Sequence, residues 1–452
     1  MKKLIPQSIK NIYHLMQAIF ANIAFGFPSK KLKVIGVTGT NGKTTTVQMT
    51  AKILEENGSK IAVASTINFK IAEKEWVNES KFTTLSSWKL EKFLRQAVRA
   101  GCEYAVLEIS SHSLDQNRVW GVDFLVAAIT NITREHLDYH KTMEKYAKAK
   151  EKLFAIVSQN KNGASVVNMD MQFAENFLKY PARKKYGYFL ESQNPNCVIG
   201  KEIETVIARD IKLDIQNTRY KISGFARSGE ARQNSKFSLN LPGEFNIENA
   251  LAATCIGLSQ GIALEKIAEA LGKIKGVPGR MERIENGRGI EIIVDYAVTP
   301  DSLEKLYNLI DSLKENDGKK DTKVIAVFGS CGDRDRGKRP IMGEIVARYA
   351  DYCIVTNEDP YSEDPVRIIN EVFSGVIGKD SQGTETQKLK LENENAWRIL
   401  DRREAIKKAL QLAKPGDIVV VTGKGAEEVM VVGGKRIPWN DPKVIREVLV
   451  EM

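Results

Sequence analysis

The chain has 452 residues, of which 27% are charged and 42% hydrophobic, the composition of an ordinary globular protein. This length is too great for one hydrophobic core, so we expect two or three domains. The net charge of +10 favours anionic partners. The chain has no arginine-rich tract and no interleaved basic and aromatic residues, so we expect no nucleic-acid partner.

The five cysteines are scattered and form no C-x-x-C pair, which argues against a disulfide framework or a zinc site. Charged and polar residues interrupt the first apolar segment, and no small-residue cleavage site follows it, so we expect no signal peptide. We therefore expect a cytoplasmic monomer without a transmembrane segment.

Residues 1–30 are predicted to contain one amphipathic helix, from residue 5 to residue 27. Its apolar residues recur at helical spacing, and they are Ile5, Ile9, Ile12, Leu15, Met16, Ile19, Phe20 and Ile23. The helix either packs on the next domain or binds a membrane surface or a partner helix. Because its polar face is only weakly basic, we favour packing.

A glycine-rich loop between a strand and a helix organises the chain. Residues 34–37 predict a buried strand, residues 39–42 form the loop, and Lys43 and Thr44 begin a helical pattern. Backbone N–H groups of such a loop and the N-terminus of the helix bind phosphates. Lys43 would reach the terminal phosphates of a nucleotide, and Thr44 would bind Mg²⁺.

Residues 31–280 predict an α/β domain with a parallel sheet. Its expected strands lie at 34–37, 61–64, 104–109 and 124–130, and its expected helices include 87–100 and 248–259. Short alternating runs between residues 186 and 241, such as 212–215 and 237–241, predict an antiparallel addition.

Residues 281–452 predict a smaller Rossmann-like domain. Its expected strands lie at 291–294, 323–328, 352–356 and 417–421, and its expected helices at 302–313, 343–349, 365–373 and 403–412. The polar stretch 378–394 is expected to be a loop.

Residues suited to metal binding follow two predicted strands. Glu108 ends one strand and is followed by His112, whereas His136 and His140 follow the next. Ligands of parallel sheets bind where the strands end, so Glu108 is well placed to hold Mg²⁺ beside the glycine-rich loop.

The stretches 39–44, 108–112 and 131–140 resemble the Mur ligases, the ATP-dependent amino-acid ligases of peptidoglycan precursor synthesis. The resemblance runs from about residue 33 to the C-terminus and continues at 246–249, 279–282, 295–297, 332–335 and 423–425. It is strongest to the tripeptide synthetases, which add the third residue to UDP-N-acetylmuramoyl-L-alanyl-D-glutamate.

The resemblance implies ATP and two Mg²⁺ ions as cofactors, and an acyl phosphate that the amine of the incoming amino acid attacks. The implied nucleotide-binding residues are Gly39, Thr40, Asn41, Gly42, Lys43, Thr44, Thr45, Asn249 and Arg280. The implied metal ligands are Thr44, Glu108 and His136. The implied catalytic residues are Lys43, Lys150, His136 and Arg334, with Lys150 carbamylated so that its amine becomes an anion.

The resemblance also implies two groups of substrate-binding residues. Those for the muramoyl-dipeptide are Thr83, Thr84, Ser110, Gln116 and Arg118. Those for the incoming amino acid are Glu358, Asp359, Gly423 and Glu427, and Arg334 would meet that amino acid or the nucleotide.

Three features differ from the family pattern. Only the segment 1–30 precedes the ATPase domain, where the family has a uridine-binding domain of about a hundred residues. Val298 replaces a histidine, and Tyr361 replaces the arginine that binds the second carboxylate of diaminopimelate. Either lysine or diaminopimelate therefore fits as the incoming amino acid. Two alternative functions stay open, namely a Mur-type ligase with a non-UDP acceptor and a folylpolyglutamate-synthase-like ligase.

Overall fold

The structure is a computed structural model that describes residues 6–194, 202–214, 217–225, 233–316, 321–378 and 390–452. Within it the chain divides into two compact units. Unit 1 comprises Met1–Thr133 and His140–Lys275, and unit 2 comprises Arg134–Tyr139 and Gly276–Met452. The predicted domain limits after residues 30 and 280 stay predictions. Most of the predicted loop 378–394, and Ile215 at the end of a predicted strand, lie outside the described residues.

The first part of the chain alternates strands and helices. In order they are α1 (Gln7–Phe25), β1 (Lys33–Thr38), α2 (Lys43–Glu56), β2 (Ile61–Ala64), β3 (Asn68–Ile71), β4 (Lys74–Val77), α3 (Ser87–Arg99), β5 (Tyr104–Glu108), α4 (Ser111–Asp115), β6 (Phe124–Ile129), α5 (Leu137–His140), α6 (Met143–Val157), β7 (Ala164–Asn168), α7 (Ala174–Leu178), β8 (Lys184–Leu190), β9 (Glu204–Leu213), β10 (Thr218–Phe225), β11 (Gln233–Leu239), α8 (Glu244–Ser259) and α9 (Leu264–Gly272). A 3₁₀ turn, Pro28–Lys31, joins α1 to β1.

The strands described in unit 1 form one sheet in the order β11-β10-β9-β8-β7-β6-β1-β5-β2-β3-β4. Its central strands, from β9 to β2, pair in parallel. Every residue of β1 after Lys33 is buried. Because successive side chains of a strand point to opposite faces, both faces of the sheet are covered at β1.

The predicted α/β architecture is confirmed, with one correction to its antiparallel part. The expected strand at 61–64 and the helix that follows the glycine-rich loop are present. The strand that contains Tyr186 pairs in parallel with both neighbours, and only β10 and β11 extend that side of the sheet in the antiparallel sense. The alternating pattern indicates strands but carries no information about their direction.

Helix α1 packs on α3, as expected, but with an unexpected face. Its buried residues are Ala18, Ala21 and Asn22. Five large apolar residues of the predicted stripe are exposed instead, namely Ile9, Ile12, Met16, Phe20 and Ile23. Leu15 and Ile19 are half-buried, and Ile5 lies outside the described residues. None of the helices in the described part of the chain is long and apolar enough to span a membrane.

Unit 2 contains the expected second alternation. Its elements are β12 (Glu282–Arg283), β13 (Glu291–Asp295), α10 (Pro300–Asn316), β14 (Val324–Phe328), α11 (Lys338–Tyr349), β15 (Tyr352–Thr356), α12 (Pro365–Ile377), β16 (Ala396–Ile399), α13 (Arg402–Leu412), β17 (Ile418–Thr422), β18 (Val429–Val432), β19 (Lys435–Pro438) and α14 (Asp441–Glu451). Among the described residues, the main sheet has the order β12-β13-β17-β14-β15-β16 and is parallel except for β12. Its parallel strands confirm the Rossmann-like prediction.

Candidate active site

The glycine-rich loop of unit 1 connects β1 to α2. Gly39 has a φ of 146° and Gly42 a φ of 81°, and both values are rare for residues with a side chain. A Cβ atom on Gly39 would lie 1.8 Å from Thr130 Oγ1, and one on Gly42 would lie 2.1 Å from Asn249 Oδ1. The loop therefore requires glycine at both positions, for conformation and for space.

The end of β6 fixes the loop from the other side. Thr40 N donates to the carbonyl of Asn131 at 2.9 Å, and Asn41 N donates to Asn131 Oδ1 at 2.9 Å. Thr130 Oγ1 in turn donates to the carbonyl of Asn41 at 2.6 Å. These contacts preorganise the backbone around Lys43. Asn131 therefore supports the loop, whereas the sequence pattern marked it only as part of the stretch 131–140.

Two of the predicted metal ligands meet at the strand ends. Thr44 Oγ1 donates to Glu108 Oε2 at 3.0 Å, and Glu108 also accepts from the backbone and the hydroxyl of Thr66. Parallel pairing places Glu108 opposite Val37, next to the loop. A hydroxyl and a carboxylate are oxygen donors of the kind that Mg²⁺ prefers.

No group of three or more His, Cys, Asp or Glu residues suited to a metal occurs among the described residues. Magnesium in nucleotide sites typically keeps several waters and binds one or two protein oxygens together with phosphates. The Thr44–Glu108 pair fits a nucleotide-borne Mg²⁺ of this kind.

Lys43 and Lys150 both approach the glycine-rich loop. Lys43 Nζ donates to the carbonyl of Thr40 at 2.8 Å. Lys150, on α6, is fully buried; its Nζ donates to the carbonyl of Gly39 at 2.6 Å and lies 4.6 Å from the ring centroid of Tyr146. Burial, and then the positive charge of Lys43, hold the pKa of Lys150 well below its usual range. The amine of Lys150 is thus neutral far more readily than that of a surface lysine.

The predicted dipeptide-binding residues form a connected group beside Glu108. Thr84 Oγ1 donates to the carbonyl of Glu108 at 3.0 Å and lies 3.2 Å from Ser110 Oγ. Arg118 donates to the carbonyl of Thr84 at 3.2 Å, and Thr83 accepts from Thr66 at 3.3 Å. Gln116 lies at the C-terminal end of α4, the helix that Ser110 caps.

The predicted nucleotide-binding residues are divided between the units. Asn249, on α8 of unit 1, is buried next to Gly42 and accepts from Thr46 Oγ1 at 3.4 Å. Arg280 belongs to unit 2, where its guanidinium carbon lies 4.4 Å from the ring centroid of Tyr296.

His136 belongs to the segment Arg134–Tyr139, which is part of unit 2. Its Nδ1 lies 3.9 Å from Glu135 Oε1, and Glu135 receives the buried ammonium of Lys338 at 3.1 Å. Unit 1 therefore brings together Thr44 and Glu108, and the third predicted metal ligand is assigned to the other unit. Lys338 carries a buried ammonium group. The sequence did not predict this residue as part of the site, because only the fold brings it to Glu135.

Unit 2 gathers the predicted amino-acid-binding residues at the ends of β15 and β17. The thiol of Cys331 donates to Glu358 Oε1 at 2.8 Å, whereas Glu358 Oε2 is buried without a hydrogen-bond partner among the described residues. Gly423 has a φ of 111°, and its Cβ would lie 2.6 Å from that oxygen. Burial raises the pKa of Glu358 above its usual range.

Lys424 forms ion pairs with the two other acidic residues of this group. Its Nζ binds Asp359 Oδ2 at 2.8 Å and Glu427 Oε2 at 2.6 Å. The guanidinium carbon of Arg334 lies 5.4 Å from the ring centroid of Tyr361. Lys424 and Cys331 were not predicted as site residues; the Gly-Lys-Gly motif was the signal for Lys424, and no sequence signal marked Cys331.

Two family models match most of the chain. The model of the Mur ligase middle domain matches residues 37–257, and that of the Mur ligase glutamate ligase domain matches residues 279–425. The UDP-N-acetylmuramoyl-L-alanyl-D-glutamate–2,6-diaminopimelate ligase of Syntrophomonas wolfei is 38% identical over 435 residues, which are 96% of this chain and 81% of that protein. The UDP-N-acetylmuramyl-tripeptide synthetase of a Roseiflexus species is 37% identical over 442 residues, which are 95% of this chain and 80% of that protein.

A solved structure is similar as well. It is that of a UDP-N-acetylmuramoyl-L-alanyl-D-glutamate–2,6-diaminopimelate ligase with 30% identity, and the match covers 99% of this chain and 84% of that chain with a TM-score of 0.58. The two family models together span both units and the loop that holds Lys43. This chain therefore belongs to the Mur ligase family and is an ATP-dependent ligase.

Proposed function

We propose that this chain adds the third amino acid, lysine or diaminopimelate, to UDP-N-acetylmuramoyl-L-alanyl-D-glutamate through an acyl phosphate. The observation that carries the proposal is the Thr44–Glu108 pair beside the loop of Lys43, in a chain 38% identical to a ligase of that substrate. The carboxylate of the dipeptide takes the γ-phosphate of ATP, and the amine of the incoming amino acid then displaces phosphate from the acyl carbon.

The first step brings two anions together, so the site has to supply positive charge. Lys43 supplies an ammonium, and the N-terminus of α2, which begins at Lys43, adds backbone N–H groups. Magnesium bound to the nucleotide would neutralise further phosphate charge, and Thr44 and Glu108 are the residues that would hold it. His136 would serve a second ion.

Lys150 is proposed to carry a carbamate. The lowered pKa of its buried amine favours the neutral form, which can attack the carbon of CO₂. A new N–C bond forms, one C=O bond electron pair moves to oxygen, and one proton is released. The product is an anion, which removes the repulsion that a lysine ammonium beside Lys43 would cause. The remaining N–H can keep the contact with the carbonyl of Gly39. The group would then act as an oxygen ligand for a metal ion.

The dipeptide is proposed to bind along Thr84, Ser110 and Arg118. The hydroxyl groups of Thr84 and Ser110 lie beside the backbone of Glu108. A substrate held there would therefore have its carboxylate close to the Thr44–Glu108 pair. Arg118 supplies a guanidinium for a carboxylate or a phosphate of the acceptor.

The incoming amino acid is proposed to place its far ammonium against Glu358. Asp359 and Glu427 already bind Lys424, whereas Glu358 Oε2 has no partner among the described residues. Lysine and diaminopimelate both carry that ammonium. Only diaminopimelate has a second carboxylate, for which Arg334, beside Tyr361, is the neighbouring cation.

The proposal is tested with a panel of radiolabelled amino acids, namely lysine, diaminopimelate and ornithine, and with the UDP-muramoyl-dipeptide as acceptor. We expect ADP release that requires both the acceptor and one of these amino acids. Glu358→Gln should raise the KM for that amino acid about tenfold or more, because it removes a buried ionic contact, and should leave the KM for ATP unchanged.

A matched control is Glu447→Gln, which removes a carboxylate of the same unit that binds Arg403 instead. It should not change the KM for the amino acid. Turnover with none of the three amino acids, or turnover that does not require the muramoyl-dipeptide, contradicts the proposal.

A further inference from the structure

The outward surface of α1 is apolar over the whole length of the helix. The exposed fractions of Ile12, Phe20 and Ile23 are 62%, 59% and 62%. The large exposed residues follow the 3.6-residue period and so share one face, called here the outer face of α1: Ile9, Ile12, Tyr13, Met16, Phe20 and Ile23.

The inner face of the same helix is attached through polar groups. Asn22 is fully buried and its Nδ2 donates to the carbonyl of Trp120 at 2.8 Å, and Asn11 Nδ2 donates to the carbonyl of Asp115 at 3.2 Å. The other buried residues of this face are the small Ala18 and Ala21. The large apolar residues thus lie on the exposed side, whereas a helix between a core and water buries them. Packing among the described residues therefore does not account for the large apolar residues of the outer face, and such a continuous apolar surface marks an interaction site.

Helix α1, the 3₁₀ turn and α3 carry no exposed acidic side chain. Neither α1 nor the 3₁₀ turn after it contains Asp or Glu, and the one acidic residue of α3, Glu91, is 1% exposed. The solvent-exposed side of these elements carries cations instead, namely Lys30, Lys31, Lys89, Lys92 and Arg99. Outside these elements, Glu103 binds Lys33 at 2.7 Å and Asp115 binds Lys152 at 3.0 Å. Asp123, whose backbone N–H donates to Ser29 of the turn, is exposed, and its Oδ1 accepts from Asn160. The five cations therefore outnumber this carboxylate.

Aromatic and basic side chains meet at the C-terminal end of α1. The ring centroids of Phe25 and Trp88 are 5.1 Å apart, and Trp88 remains half exposed. Lys30 Nζ lies 5.0 Å from the ring centroid of Phe27. Tryptophan and long cationic side chains next to an apolar surface are typical of the lipid–water interface, where the aliphatic stems lie among acyl chains and the charges among headgroups.

We infer that α1 docks unit 1 on the surface of an anionic lipid bilayer, with the helix axis in the plane of the interface. The apolar outer face enters the acyl boundary, and the cations of α3 and of the 3₁₀ turn bind acidic headgroups. A second copy of this chain is a poorer partner, because it would bring two surfaces of the same positive charge together. The inference is independent of the proposed function, since none of these residues lies in the candidate active site.

The inference is tested with the full chain and two vesicle preparations in a co-sedimentation assay. Vesicles that contain phosphatidylglycerol should bind the protein, vesicles of pure phosphatidylcholine should bind it about tenfold more weakly, and high salt should release it. The double variant Ile12→Ser/Phe20→Ser should lose at least about tenfold in binding to the anionic vesicles, because each serine removes buried hydrocarbon. Lys89→Glu/Lys92→Glu should lose binding to a similar extent.

The matched control is Val366→Ser/Leu400→Ser, which changes two half-exposed apolar residues of unit 2 and should bind as the unaltered chain does. Every variant should keep its ligase activity and circular dichroism spectrum, which shows that it folds. The inference is overturned if the unaltered chain stays in the supernatant with anionic vesicles. It is also overturned if sedimentation velocity shows a dimer that Ile12→Ser/Phe20→Ser dissociates while vesicle binding is unchanged.

Discussion

The ionisation of one lysine has large consequences for the chemistry of unit 1. Lys150 is buried beside a second lysine, Lys43, and its amine is aimed at the carbonyl of Gly39. A permanent ammonium at this place would repel both Lys43 and any metal ion that reaches Glu108. A neutral or carbamylated amine resolves that conflict, and only the carbamate adds the anionic oxygen ligand that Mg²⁺ prefers.

Lys150→Ala is therefore expected to lower turnover by about a hundredfold or more, the usual cost of removing a charged group from a preorganised site. Formate or acetate should restore part of the activity, because a free carboxylate can enter the space and replace the carbamate. With ¹³C-labelled bicarbonate the unaltered chain should show a carbamate resonance that the variant lacks.

The control for this prediction is Lys148→Ala, since Lys148 is an exposed lysine on the same helix. It should retain full turnover and should not respond to added carboxylates. Full activity of Lys150→Ala in unsupplemented buffer would exclude the carbamate.

At the scale of a single element, α3 contains a carboxyl group whose ionisation lowers the free energy of unfolding. Glu91 is buried and its Oε2 has no hydrogen-bond partner among the described residues. Burial raises the pKa of Glu91 from 4.5 to about 7. As the pH rises from about 4.5 to 7, the carboxyl ionises in the unfolded chain before it ionises in the folded one, so the free energy of unfolding falls.

Glu91→Gln removes this dependence, because an amide stays neutral. Above about pH 7, the free energy of unfolding of unit 1 should be up to about 3 kcal/mol higher in the variant than in the unaltered chain, and below about pH 4.5 the two should not differ. Urea denaturation at several pH values measures the difference. The control is Glu265→Gln, at an exposed position of α9, which should change the free energy of unfolding by only a few tenths of a kcal/mol at any pH. An effect of Glu91→Gln that does not depend on pH would show that ionisation of Glu91 does not lower the free energy of unfolding.

The elements that the sequence predicted best are those buried on both faces. Residues 61–64 and 352–356 are short apolar runs, and the structure has strands with the same bounds. The hairpin of β3 and β4 was missed, because β4 is exposed along its whole length and therefore has no apolar pattern. The stripe of α1 was recognised, but periodicity shows only that apolar residues share a face and not which way that face points.

The site was predictable where the topology alone brings residues together. Parallel strands that end at one edge place Glu108 beside the loop that precedes Thr44. The contacts of Cys331 with Glu358 and of Lys424 with Asp359 join residues that are far apart in sequence. Their pairing depends on the packing of loops, which no local pattern encodes.

At the scale of the whole molecule, each unit has a hydrophobic core of its own. The core of unit 1 includes Val34, Leu107 and Phe154, and the core of unit 2 includes Val327 and Val421. Separate cores allow separate unfolding, so a single transition is not expected for this chain. The phosphate loop and most of the candidate nucleotide-binding residues lie in unit 1, whereas unit 2 contains the candidate amino-acid-binding residues together with Arg280 and His136.

Differential scanning calorimetry of the full chain should therefore resolve two transitions that respond to different ligands. A non-hydrolysable ATP analogue with Mg²⁺ should mainly raise the transition of unit 1, and the amino acid that supports turnover should mainly raise that of unit 2. A ligand at about 100 times its Kd stabilises the folded state by roughly 2.7 kcal/mol, which is a shift of several degrees. Lys43→Ala should abolish the first shift and Glu358→Gln the second, each leaving the other intact. A single transition that both ligands raise equally, in the unaltered chain and in both variants, would contradict the assignment of nucleotide to unit 1 and amino acid to unit 2.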